Sequence, residues 1–154
     1  MDFPYRQEGR KAPDRAPKLI AAIVEEAQAF VASTGVDAGD LVLGGRSMGG
    51  RMCSLAVAEG LPAAGLVLLS YPLHPPGKPE RLRTEHFGAL TVPCLFVGGT
   101  RDQFGTPEEM TEATIAIPGP VTHVWLAGAG HDPKRQEEAI VAAVRDWLAT
   151  GLNP

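Results

Sequence analysis

Cysteine is scarce, aromatic residues make up only 6%, and neither a block of one charge sign nor a long apolar run occurs in the 154 residues. Each shortage excludes something. Two cysteines, Cys53 and Cys94, cannot build a disulfide framework, and since each lies inside an apolar segment both are expected as buried free thiols. No stretch reaches the roughly 20 apolar residues that span a bilayer. The opening MDFPYRQEGRKAPDRAP has no apolar signal core, so a cytoplasmic protein with no membrane partner is expected. A net charge of -4 argues against nucleic acid as a partner. Glycines are concentrated around residues 44 to 50, yet no Lys follows them and the G-x-G-x-x-G order is absent, which argues against a phosphate-binding loop.

What is present is an alternation of two periodicities. The runs DLVLGG (40 to 45), GLVLLS (65 to 70) and CLFVGG (94 to 99) are short and continuously apolar, the pattern of parallel strands covered on both faces, and VTHVWLA (121 to 127) is a fourth candidate. Between and around them the spacing predicts helices. Leu19, Ile20, Ile23, Val24, Ala27, Phe30 and Val31 define one, with Asp14 and Pro17 marking its start and Gly35 its stop. Others are expected at 49 to 59, at 107 to 117 behind a Thr106-x-x-Glu109 capping box, and at 133 to 149 with Asp132 as N-cap. Such alternation implies an α/β fold: one domain over residues 1 to 154, a parallel sheet with helices on both faces, and ligands beyond the carboxyl ends of the strands. One proline-rich insertion, YPLHPPGKPERLRTEHFGALTVP, separates the second and third strands.

The stretch LVLGGRSMGGRM (41 to 52) contains Gly45-Arg46-Ser47-Met48-Gly49, which fits the G-x-S-x-G elbow that presents a serine on a tight strand-to-helix turn. The residues two before and two after the serine are expected to crowd together, which is why they lack side chains. A serine hydroxyl is a poor nucleophile and needs an imidazole to accept its proton and an acid to orient that imidazole. Asp102 follows the third strand, and His131 follows the fourth, in the order Ser, Asp, His. Of the other candidates, His123 reads as a sheet-face histidine and His86 as structural or exposed. His74 and Tyr71, just past the second strand, are candidate substrate contacts. Arg46, at the variable position of the elbow, is a candidate for a substrate carboxylate.

With these residues in order, the sequence resembles the α/β-hydrolase superfamily, and within it the small dienelactone-hydrolase-like branch related to testis-expressed hydrolase-like proteins. The stretches GGRSMGGR, FPYRQEGRKAPDRAP, LLSYPLHPPGKPERLRTEHF, VGGTRDQFGTPEE and GAGHDP carry the likeness over nearly the whole chain. It implies a serine hydrolase that cleaves a carboxylic ester, thioester or related acyl bond through an acyl-enzyme. Ser47 would be the nucleophile, Asp102 the acid and His131 the base, with no metal or organic cofactor. The Met48 N–H would be one oxyanion donor. The amino end departs from the pattern: only 40 residues precede the elbow strand, MDFPY looks like the tail of an earlier strand, and the usual histidine-glycine oxyanion segment is not in the chain. The carboxyl-terminal part of the fold is therefore expected, with the elbow strand as an exposed edge able to pair with a second copy. The competing reading is a non-catalytic interaction module on a hydrolase scaffold. With an insertion too short to form a lid domain, a small soluble acyl compound is the expected substrate.

Overall fold

A computed structural model describes residues 1–152, in which four strands form one parallel sheet in the order β1-β2-β3-β4. The strands are β1 (Val42–Arg46), β2 (Gly65–Leu69), β3 (Cys94–Gly99) and β4 (Val121–Leu126). Around them lie α1 (Pro4–Gln7), α2 (Ala16–Thr34), α3 (Met48–Ala58), α4 (Pro107–Thr114) and α5 (Glu137–Thr150). The α/β class expected from the alternating patterns is the one observed; β2, β3 and β4 lie within the apolar runs that predicted them, and β1 runs one residue past its own, to Arg46.

Because side chains alternate across a strand, the continuously apolar runs serve two cores. Leu66, Leu68 and Phe96 face one side, joined there by Leu19 and Ile23 of α2, Met52 of α3 and Met110 of α4. Val67, Leu95 and Val97 face the other, where Trp147, Ile140 and Val144 of α5 cover them. The proline-rich insertion belongs to the first core: Leu73, Phe87 and Leu90 are each fully buried. It is a packed part of the domain, and none of it lines the groove beside Ser47.

Several boundaries differ from expectation, each for a local reason. MDFPY is not a strand tail: Pro4, with its fixed φ, opens α1, and Tyr5 turns into the core. Asp14 does not cap α2, whose N-cap is Arg15; its carboxylate is taken by Arg10 and Lys18. The last helix begins at Glu137 rather than 133, with Gln136 as N-cap, because residues 131 to 136 form a loop in which Asp132 pairs with Arg46 and Arg135 takes a left-handed φ of 64°. The Thr106–Glu109 capping box forms, with the Glu109 N–H donating to Thr106 Oγ1 at 3.2 Å and the Thr106 N–H to Glu109 Oε2 at 2.8 Å. Cys53 and Cys94 are free and buried, and burial pushes their thiols up to about 11 and about 12. Among the described residues, no helix is long and apolar enough to cross a membrane.

The sheet ends at β1 on one side. Ala64 N–H bonds the Leu41 carbonyl and Ser47 N–H the Leu69 carbonyl, so by alternation the backbone groups of Leu41, Leu43, Gly45 and Ser47 serve β2. Those of Val42, Gly44 and Arg46 face the open edge. Alongside it runs a groove of about 690 Å³ between β1, α2 and the first residues of the chain, with Ser47 and Met48 at one end.

Candidate active site

The elbow is built by a steric requirement at two glycines. A Cβ on Gly45 would stand 2.7 Å from the Gly49 carbonyl carbon and the Gly50 nitrogen, and one on Gly50 would stand 2.5 Å from the Gly45 oxygen. Gly49, expected to be the crowded partner, has open space at its Cβ position. The turn closes one residue later than the motif suggests, because α3 begins at Met48 and carries Gly50 back over β1. Between these glycines Ser47 adopts φ 52° and ψ -121°, a left-handed conformation that a non-glycine residue holds only when its surroundings impose it. Met48 is the first residue of α3, so its N–H has no carbonyl one turn back to bond and belongs to the positive end of the helix, next in the chain to Ser47.

Two loops deliver the other groups, and they are tied to each other. After β3 and β4, the Thr100 N–H bonds the Leu126 carbonyl at 3.1 Å, the Arg101 N–H bonds the Ala129 carbonyl at 2.9 Å, and the Gly128 N–H bonds Thr100 Oγ1 at 2.9 Å. Gly99 makes this approach feasible, since a Cβ there would lie 2.2 Å from the Ala129 oxygen. From these loops His131 Nδ1 meets Asp102 Oδ2 at 2.8 Å and Oδ1 at 3.0 Å, while His131 Nε2 meets Ser47 Oγ at 2.8 Å. The carboxylate only accepts, so Nδ1 carries the proton and Nε2 is free to receive one from the hydroxyl. Asp102 is 5% exposed, and its Oδ1 also accepts the Phe104 N–H at 2.9 Å. The Phe104 ring lies over the imidazole with centroids 4.0 Å apart. Chemically, the arrangement can pass a proton from a serine hydroxyl to an imidazole whose positive charge a buried carboxylate would offset.

The structure thus brings Ser47, Asp102, His131 and the Met48 N–H to one place, with Arg46 at the rim. Arg46 is half exposed and pairs with Asp132 at 3.2 Å. Tyr71 and His74 are not offered to a substrate. The Tyr71 hydroxyl is buried and donates to the Arg83 carbonyl at 2.7 Å, and burial pushes its ionisation up. His74 is buried, with Nδ1 2.9 Å from the Pro75 carbonyl and Nε2 3.4 Å from Glu109 Oε2. Both anchor the insertion. His123 does sit on the sheet face, with Nε2 3.1 Å from Thr114 Oγ1 and its ring stacked on Trp125. His86 is buried, with Nε2 2.8 Å from Ser54 Oγ, and that burial lowers its ionisation to about 4. Phe104, Gly99 and Thr100 carried no sequence signal beyond lying near a strand end. Among the described residues, no three His, Cys, Asp or Glu side chains gather as metal ligands would.

Comparison with known proteins places this fold in a wider group. The chain is similar to an alpha-beta serine hydrolase homologue from Coxiella burnetii, at 20% identity and a TM-score of 0.69, covering 89% of this chain and 62% of that one. It is similar to Est1E from Butyrivibrio proteoclasticus, at 18% identity and a TM-score of 0.72, covering 88% of this chain and 70% of that one. A Klebsiella pneumoniae protein assigned as a dienelactone hydrolase matches at 21% identity and a TM-score of 0.70, over 97% of this chain and 66% of its own. The chain therefore spans less than two thirds of the Coxiella and Klebsiella structures it matches. At these identities the likeness speaks to the fold, which is shared. The sequence also matches a family described as the alpha/beta hydrolase domain over residues 1–146, nearly its full length. The chain belongs to that family of α/β hydrolase domains.

Proposed function

We propose that this α/β hydrolase acts as a serine acyl hydrolase on a carboxylic ester, thioester or related acyl bond. The observation that carries the reading is the unbroken line from Ser47 Oγ through His131 to Asp102, with contacts of 2.8 Å on either side of the imidazole. Ser47 Oγ attacks the acyl carbon while His131 Nε2 takes its proton. Asp102 holds the imidazole in the tautomer this requires and offsets the imidazolium that forms. The Met48 N–H, at the start of α3, faces the developing oxyanion. His131 then protonates the departing alcohol or thiol, leaving the acyl group on Ser47. A water deprotonated by the same nitrogen releases the acid and restores the serine.

A short acyl group suits the site. A long chain laid along the groove would cover the outward N–H and C=O groups of Val42, Gly44 and Arg46 without bonding them, which costs free energy. Arg46 stands where it could meet an anionic group on the substrate, in competition with Asp132. A fluorophosphonate probe tests the reading: mass spectrometry should find the label on Ser47, absent in Ser47→Ala and strongly reduced in His131→Ala. Equal labelling of all three proteins would favour the non-catalytic module, a reading supported by the open edge at β1. Short-chain nitrophenyl esters should be cleaved faster than long-chain ones.

A further inference from the structure

We propose that Phe104 is a positioning residue for the catalytic base, acting through its aromatic ring. The inference rests on the proposed triad and adds to it a group that neither the elbow motif nor the triad order points to. Three contacts hold Phe104 in place. Its N–H donates to Asp102 Oδ1 at 2.9 Å, its carbonyl accepts the His74 N–H at 3.0 Å, and its ring lies against the His131 imidazole at a centroid separation of 4.0 Å and an interplanar angle of 34°. The next residue explains why the loop can close this far. A Cβ on Gly105 would stand 2.9 Å from Leu73 Cβ, so only glycine lets residues 102–105 seat against the insertion.

The imidazole is held on one edge by Asp102 and must keep its opposite nitrogen on Ser47 Oγ. A hydrogen bond to one nitrogen leaves the ring free to tilt about that bond, and a tilt swings Nε2 off the hydroxyl. The face of Phe104 blocks the tilt on one side. Its π-electrons also favour the imidazolium that exists only after the proton has moved, so the contact is stronger in the transition state than before it. The backbone bond to Asp102 could come from any residue. The side chain is what makes phenylalanine particular here, and it is the part that can be tested separately.

Three variants and the wild type separate the possibilities, with a soluble short-chain nitrophenyl ester and the fluorophosphonate as probes. Phe104→Leu keeps the backbone donor and most of the apolar volume but removes the aromatic face. Its kcat and its labelling rate should fall together by about 3- to 10-fold, with KM changed less than twofold and Tm unchanged within error. Phe104→Tyr should restore both rates to within twofold of wild type. A fall in kcat that tyrosine does not rescue, a rise in KM at constant kcat, or no change in Phe104→Leu would each overturn the assignment. Ser47→Ala is the separate control: if it hydrolyses the ester as fast as wild type, the serine hydrolase reading fails. Failure of the present inference appears in the Phe104 variants alone.

Discussion

The two flanks of Ser47 are built to different standards. On the flank formed by the β3 and β4 loops, every side-chain polar atom of Asp102 and His131 has a protein partner, and three hydrogen bonds tie one loop to the other. The insertion extends that order outward, with its own Leu73, Phe87 and Leu90 fully buried. On the β1 flank, alternate backbone groups face an open groove, and the Met48 N–H at the start of α3 is the donor we propose for an oxyanion. The contrast teaches that proton transfer and oxyanion binding are separable structural tasks. In the proposed mechanism the contacts among Ser47, His131 and Asp102 serve the first, and the Met48 N–H serves the second.

The sharpest way to break this comparison is Asp102→Asn. It keeps the shape of the relay flank but offers Nδ1 a poorer partner, and in the proposed mechanism it leaves the wrong tautomer facing Ser47. Turnover of a short-chain nitrophenyl ester should drop on the order of a thousandfold or more. A drop below tenfold would mean that the well-ordered flank is not the one that limits chemistry.

The packed insertion should reveal itself in stability against pH, through His86, which meets Ser54 of α3. Burial holds its folded-state value near 4, below the ordinary 6.5, so the unfolded chain takes up the proton first as pH falls. The stabilising contribution is complete above pH 6.5 and is lost between 6.5 and 4, amounting to about 3 kcal/mol at most. Denaturant melts across that range should show the decline, and His86→Phe should flatten it. An unchanged slope in the variant would assign the acid sensitivity elsewhere.

Within the elbow, two adjacent glycines should respond oppositely. Gly50→Ala places a methyl 2.5 Å from the Gly45 oxygen and should cost about 1 to 3 kcal/mol while slowing fluorophosphonate labelling. Gly49→Ala meets open space and sits in the first turn of α3, so it should be neutral or stabilising by up to about 1 kcal/mol. Thermal melts of both variants settle whether the crowding lies where the backbone places it.

The smallest effect concerns the open flank. We propose that a second copy of the chain pairs with β1, because the outward-facing residues Val42, Gly44 and Arg46 are centred on Gly44. A two-fold axis there would let two antiparallel strands satisfy each other's free groups. Light scattering over a range of concentrations should show twice the chain mass at the upper end. A monomer throughout would leave the edge without this partner.

Much of this was legible in the residues, and the failures are instructive. The apolar runs marked β2 and β3 most clearly, because a strand covered on both faces has no polar side to obscure it, and the half-covered β1 and β4 were still apolar enough to be found. The order of Ser47, Asp102 and His131 was legible because each follows a strand end. By contrast, Asp132 reads locally as a helix cap, yet an ion pair with Arg46 and a left-handed Arg135 delay α5 to Glu137. Tyr71 and His74 lie on the active side of the sheet in sequence, but the insertion folds down onto the core and consumes their polar atoms. Nothing local to a polar residue says whether its partner will be water or a carbonyl far along the chain.

By itself the sequence determined the α/β alternation, the parallel sheet, and the placing of a serine, an aspartate and a histidine at successive strand ends, because hydrophobic periodicity and glycine sterics act over a few residues. Only the tertiary structure decided that the three groups meet at hydrogen-bonding distance, that Gly50 rather than Gly49 closes the elbow, and that Phe104 lies against the base. Those facts depend on the register between β3 and β4 and on how closely two loops approach at Gly99. Such distances are set by the packing of residues many positions apart, which no short stretch of sequence contains.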